Sequence, residues 1–280
     1  MPYNAPQKAA AVSTTKLLDM KRKGHRITAL TAYDAPTAAL LNEAGVDVIL
    51  VGDSVGMVKL GYESTLPVTV EEVLHHLKAV KRGNGRALLV ADMPFLSYEI
   101  DAKEALRQAG RYIKEGGAGA VKLEGGIEIA PVVKELVRVN IPVMAHLGLT
   151  PQSVLRLGGY KVQGRKPQEA EKLLTDARIL EAAGAFALVL ECVPAKLAGE
   201  ITKKIGIPTI GIGAGPDCDG QILVVDDMLG MTEASLTFVK RYAELRGQMR
   251  EAVQEYCREV RNGSFPGREH SFAQAPEASA

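Results

Sequence analysis

Asp53, Asp92 and Glu124 each stand at the end of a short apolar run, and Lys122, His146 and Glu191 close or lie within similar runs. One carboxylate in such a place reads equally well as the N-cap of a following helix. Three in succession, ending consecutive strands, would converge and repel one another unless a cation sat between them. Ligands that are all oxygen suit a hard ion, so Mg2+ is expected rather than zinc, with Mn2+ or Co2+ as substitutes. Lys122 precedes Glu124 by two residues and on a strand shares its face. It is placed either to pair with a substrate carboxylate or oxyanion, or to form a salt bridge with one of the acids. His146 is read as a polar substrate ligand, or else as a core histidine bonded to a backbone carbonyl. Glu191 ends the run Phe186-Ala-Leu-Val-Leu190, where desolvation would lift its pKa toward that of a useful general base. Burial against an arginine is the plainer alternative. Cys192 reads as a small core residue, His75-His76 as a surface pair on a helix, and Cys218 as a loop thiol to which the sequence assigns no particular role.

The elements that must position these groups alternate. Strand-like runs occur at Ile27–Ala32, Val46–Val51, Ala87–Ala91, Ala120–Leu123, Pro142–His146, Phe186–Leu190, Thr209–Ile212 and Gln221–Val225. Most are continuously apolar, as strands buried on both faces should be. Helical patterns lie between them, at Pro36–Glu43, Val70–Lys81, Ala102–Glu115, Ile127–Val137, Pro167–Ala183, Ala195–Lys204 and Glu233–Val260, with Asp101 as an N-cap. Eight βα units predict a (β/α)8 TIM barrel, an α/β fold in a single domain, with one extra N-terminal helix between Ser13 and Gly24 plugging the bottom. The rival is an open doubly wound sheet. The glycine run Gly211–Gly215 lacks dinucleotide-binding spacing and reads either as a backbone approach for ligand or as a tight turn. In a barrel, function gathers at the C-terminal ends of strands. Those ends carry Asp34, Asp53-Ser54, Asp92, Lys122-Leu-Glu124, His146, Glu191 and Asp226-Asp227.

The chain has 280 residues, close to the ~250 usual for one such barrel. Expected boundaries are a flexible tail over 1–13, a catalytic domain over 14–272 and a disordered tail over 273–280. A net charge of +1 provides no field for a polyanion, which argues against nucleic acid. No apolar stretch is long enough for a membrane span, and no export signal opens the chain. Three cysteines without Cys-x-x-Cys spacing argue against a disulfide framework and point to a reducing cytoplasm.

From about Thr14 to Phe272 the chain resembles the ketopantoate hydroxymethyltransferase family. The resemblance is carried by Thr31-Ala-Tyr-Asp34, Val51-Gly-Asp-Ser-Val-Gly-Met57, Gly61-Tyr-Glu-Ser-Thr65, Ala91-Asp-Met-Pro-Phe95, Val121-Lys-Leu-Glu-Gly125, Met144-Ala-His-Leu-Gly-Leu-Thr-Pro-Gln152, Leu190-Glu191, Ile210–Gly215 and Cys218-Asp-Gly-Gln221. It implies a TIM-barrel enzyme that transfers a one-carbon unit from 5,10-methylenetetrahydrofolate to 3-methyl-2-oxobutanoate, giving 2-dehydropantoate. It also implies one Mg2+ per subunit held by Asp53 and Asp92, with Glu124 in the metal shell directly or through water. Ser54 and Lys122 would bind the oxo acid with the two aspartates, and Glu191 would accept the proton. A homodecamer is expected.

The chemistry is self-consistent. Removing a proton beside a ketone requires stabilisation of an enolate, which a chelated metal supplies. Val55–Val68 is nominated as a loop that closes the mouth, or else as a static subunit contact. The alternative activity is that of a metal-dependent 2-oxo acid lyase or mutase barrel, which would share the metal and the enolate; the cysteine-centred motif typical of that group is not found. A metal-binding scaffold would need neither Lys122 nor Glu191.

Overall fold

A computed structural model describes residues 10–233 and 236–272. The tail expected over 273–280 lies outside the described residues, as does most of that expected over 1–13. Eight parallel strands close into a barrel in sequence order. They are β1 (Ile27–Thr31), β2 (Val48–Val51), β3 (Leu88–Asp92), β4 (Ala120–Glu124), β5 (Val143–Gly148), β6 (Ala187–Glu191), β7 (Thr209–Ile212) and β8 (Gly220–Leu223). All eight expected runs become strands, displaced by at most two residues at either end. The continuous apolar runs have the predicted cause: every residue of β2, β3 and β4 is buried, because the barrel lumen takes one face and the helical ring the other.

The helices are α1 (Thr14–Arg22), α2 (Ala35–Glu43), α3 (Val55–Val58), α4 (Val70–Gly83), α5 (Ala102–Lys114), α6 (Ala130–Arg138), α7 (Val154–Leu157), α8 (Pro167–Ala182), α9 (Ala195–Lys204), α10 (Val225–Met228) and α11 (Leu245–Asn262). Their starts follow local chemistry. Ser13, Asp34, Thr69 and Asp101 accept hydrogen bonds from the first turns of α1, α2, α4 and α5, and Thr69 with Glu72 completes a capping box. On α4, Val73, Leu74, Leu77 and Val80 form the buried stripe.

The chain divides into two compact units. The first contains the barrel, through Val225, together with Leu236–Val239; the second continues from Asp226 and from Lys240. The span 14–272, expected as one catalytic domain, includes both. In the first unit, Leu17 and Met20 of α1 join one buried cluster with Ala29, Val48, Val90, Ala120, Met144, Val189 and Ile210. The extra helix is therefore the plug expected at the barrel bottom, and the chain is packed already at Val12, whose N–H donates to the Arg86 carbonyl at 2.8 Å.

The second unit corrects one helix. The pattern over Glu233–Val260 predicts a single long helix, yet α11 begins only at Leu245. The N–H groups of Tyr242, Leu245 and Arg246 donate instead to the carbonyls of Met228, Leu229 and Gly230, at 2.8, 3.0 and 3.2 Å. A turn has taken the backbone bonds that another helical turn would have used.

Candidate active site and metal centre

The apolar layers of the lumen become a polar mouth by simple continuation of the strand period. Leu88 and Val90 of β3, Ala120 of β4, Met144 of β5, and Ala187 and Val189 of β6 face the buried cluster. Two residues on, the same faces carry Asp92, Lys122 and then Glu124, His146, and Glu191. The parallel register pairs Asp92 with Lys122, Glu124 with His146, and Gly148 with Glu191. Asp53 arrives from just beyond β2, and its N–H donates to Asp92 Oδ2 at 3.2 Å. Gly148 has a φ of +97°, and a Cβ there would lie 2.2 Å from the Glu191 carbonyl oxygen. A glycine is thus required for β5 and β6 to bring this end of the mouth together.

Asp53, Asp92 and Glu124 are 3%, 1% and 5% exposed. Each offers an oxygen within 4.8 Å of the others, and they are the cluster of this kind among the described residues. Lys122 Nζ donates to Asp92 at 2.7 and 2.9 Å and to Glu124 Oε1 at 3.1 Å. The salt-bridge reading of Lys122 therefore holds, with two acids rather than one. His146 Nδ1 lies 3.1 Å from Glu124 Oε1. Its Nε2 stands 3.4 Å from Glu191 Oε2, close enough for charge interaction but without hydrogen-bond geometry. The alternative of a histidine tied to a backbone carbonyl gives way to one suspended between two carboxylates. Glu191 retains 16% of its side-chain surface and meets His146, where an arginine had been the alternative.

The charges follow from these distances. Burial, then repulsion by Asp92 and Glu124, holds the Asp53 carboxyl well above the usual range. Burial raises Asp92 as well, despite the opposing pull of Lys122. Glu124 goes the other way: burial alone would raise it, but Lys122 and His146 together draw it down to about 2. Burial would depress Lys122, but the surrounding acids more than offset this and keep it an ammonium. Three buried carboxylates thus face fewer compensating cations than they need. An all-oxygen donor set with surplus negative charge fits a hard divalent cation, so the residues suit a metal of that class.

One pH prediction arises here. Burial pushes His146 down, but the Glu124 carboxylate beside it lifts it to about 9, above the ordinary value of 6.5. A raised folded pKa contributes stability that is complete below about pH 6.5 and is lost as pH rises through about 9. At about 1.4 kcal/mol per unit, metal-free protein should lose on the order of a few kcal/mol across that window. Urea midpoints of chelator-treated protein test this. Wild type should lose more stability between pH 6.5 and 9 than His146→Gln does, and equal losses in the two proteins would contradict the assignment.

Several strand-end residues have other employment. Asp34 caps α2, accepting from the Thr37 N–H at 2.8 Å. Asp226 and Asp227 are buried in the first turn of α10, and Asp227 accepts from Thr232 Oγ1 at 2.5 Å. Ser54 is half-buried and shares a 2.8 Å hydrogen bond with the Tyr33 hydroxyl. His75 is exposed as expected, but His76 is only half-exposed, with Nδ1 2.7 Å from the Tyr33 carbonyl. In the glycine run, a Cβ on Gly215 would strike Ala195 at 2.4 Å and one on Gly213 would press on Phe238 at 3.0 Å, which favours the tight-turn reading. Cys192 and Cys218 are buried; burial and then Glu191 raise the Cys192 thiol to about 11, which suits a packing residue. The segment nominated as a closing loop is folded on itself: Val55, Thr65 and Val68 are buried, and the Tyr62 N–H donates to the Gly56 carbonyl at 2.8 Å. Tyr160, from the connection after β5, donates to Met57 Sδ at 3.8 Å.

Sequence reasoning missed Gln152 and Tyr98. Gln152 Nε2 donates to Asp53 Oδ2 and to the Met93 carbonyl, both at 2.9 Å, and its backbone N–H donates to Glu124 Oε2 at 3.1 Å. The Tyr98 hydroxyl lies 2.8 Å from Gln152 Oε1. Gln152 closes one of the motifs quoted above; nothing marked Tyr98.

Residues 11–268 match the model of the ketopantoate hydroxymethyltransferase family. The chain is 59% identical over 267 residues to the 3-methyl-2-oxobutanoate hydroxymethyltransferase of Carboxydothermus hydrogenoformans, covering 95% of this chain and 97% of that one. It is 57% identical over 266 residues to the enzyme of the same name from Syntrophus aciditrophicus, covering 95% and 98%. Among solved structures, a phosphonopyruvate hydrolase in complex with oxalate and Mg++ matches with a TM-score of 0.60 at 15% identity, over 92% of this chain and 93% of that one. A 2,3-dimethylmalate lyase of the PEP mutase/isocitrate lyase superfamily matches at 0.59 and 15%, over 96% and 93%. These structural likenesses share the barrel fold.

Proposed function

The chain belongs to the ketopantoate hydroxymethyltransferase family, and from that premise we propose the reaction its site carries out. It transfers the one-carbon unit of 5,10-methylenetetrahydrofolate to 3-methyl-2-oxobutanoate, forming 2-dehydropantoate in the first step of pantothenate biosynthesis. The observation that carries this reading is the cluster of three buried carboxylates flanked by one lysine and by a separate, more accessible carboxylate, Glu191.

Asp53 and Asp92 hold Mg2+, with Glu124 in its shell directly or through water. When bound, the ion supplies Lewis-acid stabilisation of negative charge on the keto acid. Lys122 and Ser54 bind the oxo acid together with the two aspartates, Lys122 as partner for a carboxylate or oxyanion. Glu191 takes the proton from C3. The carbanion left at C3 forms the new carbon–carbon bond with the one-carbon unit, and the bonds from that unit to folate nitrogen break. Atom balance requires one water, which appears as the product hydroxyl. His146, between Glu124 and Glu191, lines the substrate side and faces the base. No described helix is long and apolar enough to cross a membrane, and the free thiols suit a cytoplasmic protein. We expect the homodecamer that the family resemblance implies; on α11, Met249, Val253, Tyr256 and Val260 repeat along one face and are 46–60% exposed, an apolar stripe that suits a contact between copies.

The deciding assay is formation of 2-dehydropantoate from the two substrates, with Mg2+ and then with chelator. Product should form with Mg2+ and stop with chelator. If metal binds and no product forms, the assignment fails at the level of substrate.

A further inference from the structure

Building on the cation site proposed above, we infer that Gln152 is a positioning residue that sets the spacing of the carboxylates, and that Tyr98 holds Gln152 in place. Gln152 is 5% exposed and Tyr98 1% exposed, so neither can trade these contacts for water without opening the site. The orientation of the amide is fixed by chemistry. Asp53 Oδ2 and the Met93 carbonyl, each 2.9 Å away, are both acceptors, so the NH2 group must face them. Oε1 then faces the Tyr98 hydroxyl at 2.8 Å. That hydroxyl also accepts from the Glu124 N–H at 3.1 Å, which ties the tyrosine to the same strand end it helps to organise.

One residue thereby touches two of the three acids by two independent routes. Its side chain holds Asp53, which comes from beyond β2, and its main chain holds Glu124 Oε2 at the end of β4. Pro151 begins the short 3-10 turn that carries Gln152 and restricts its backbone. Asp53 lies past the last residue of β2, so strand pairing does not fix its side chain as it does for Asp92 and Glu124. Gln152 supplies the missing constraint. Partners of this kind orient the groups that bind a metal and tune its affinity.

The test uses the full chain, freed of metal by chelator and titrated with Mn2+, with free Mn2+ read by electron paramagnetic resonance. Gln152→Ala and Gln152→Met, the latter close to the native volume, should each weaken Mn2+ binding roughly 10- to 100-fold, with far-ultraviolet circular dichroism unchanged. Tyr98→Phe should weaken it by a smaller factor, roughly two- to tenfold for one hydrogen bond. The Tyr98→Phe/Gln152→Met double variant should be weaker than Gln152→Met alone by less than the Tyr98→Phe factor, because the part of the tyrosine's effect that runs through Gln152 is already lost. Mn2+ affinity within twofold of wild type in the folded Gln152 variants overturns the inference. If wild type binds no Mn2+, or Asp53→Asn binds as well as wild type, the cation site itself is wrong and the inference falls with it.

Discussion

Glu191→Gln is expected to lower kcat by roughly 10²- to 10⁴-fold, the usual contribution of a positioned general base. The amide is nearly isosteric and keeps an oxygen to face His146 Nε2, so substrate and metal affinity should change far less than kcat. Product formation and solvent deuterium uptake at C3 of 3-methyl-2-oxobutanoate, both with Mg2+, measure the two halves of the reaction. Both should collapse together, because proton removal precedes bond formation. Uptake that persists in the variant would move the base elsewhere while leaving the transferase assignment intact.

The choice of Glu191 rests on elimination as well as on place. Asp92 and Glu124 are committed to Lys122, and Glu124 also to His146 and the Gln152 backbone. Asp53 accepts from Gln152. In the proposed site all three are taken up as ligands of the cation, which leaves them unavailable to receive the proton. Glu191 keeps part of its surface at the mouth, and its partner His146 faces it without a firm hydrogen bond.

Much of this was legible in the sequence because strands repeat every two residues. Once Val90, Ala120, Met144 and Val189 are assigned to the lumen, Asp92, Lys122, Glu124, His146 and Glu191 follow by period alone. Gln152 and Tyr98 could not be reached that way. They sit in connections after β5 and β3, and their contacts depend on how each loop returns over the barrel, which no local period encodes. Asp34 and Asp92 looked alike as strand-end acids; a free first turn took Asp34 as its cap, whereas Asp92 remained on the strand face. The start of α11 was missed for a related reason. The apolar pattern continues through 236–244, but backbone bonding to Met228–Gly230 overrides it.

Lys122→Met tests the electrostatic account most severely. Methionine approximates the lysine stem but leaves Asp92 and Glu124 without the ammonium they share, and Asp53 without its attraction. Removing one partner of a buried ion pair costs about 3–5 kcal/mol, and that loss is expected in the urea stability of metal-free protein at pH 8. The loss should shrink toward pH 5. Asp53 and Asp92 already have raised folded pKa values, and removing the cation raises them further. Carboxyls of that kind favour the folded state increasingly as pH falls through those values, because protonation removes the repulsion. Saturating Mg2+ should also recover part of the stability, since it binds the folded state and brings the missing positive charge. Activity with Mg2+ should still fall by at least about 100-fold, the scale of losing one charge-stabilising donor, because the ion cannot stand in for the group that pairs with substrate. A loss equal at both pH values and indifferent to Mg2+ would mean that altered packing, and not the charge on Lys122, explains the change.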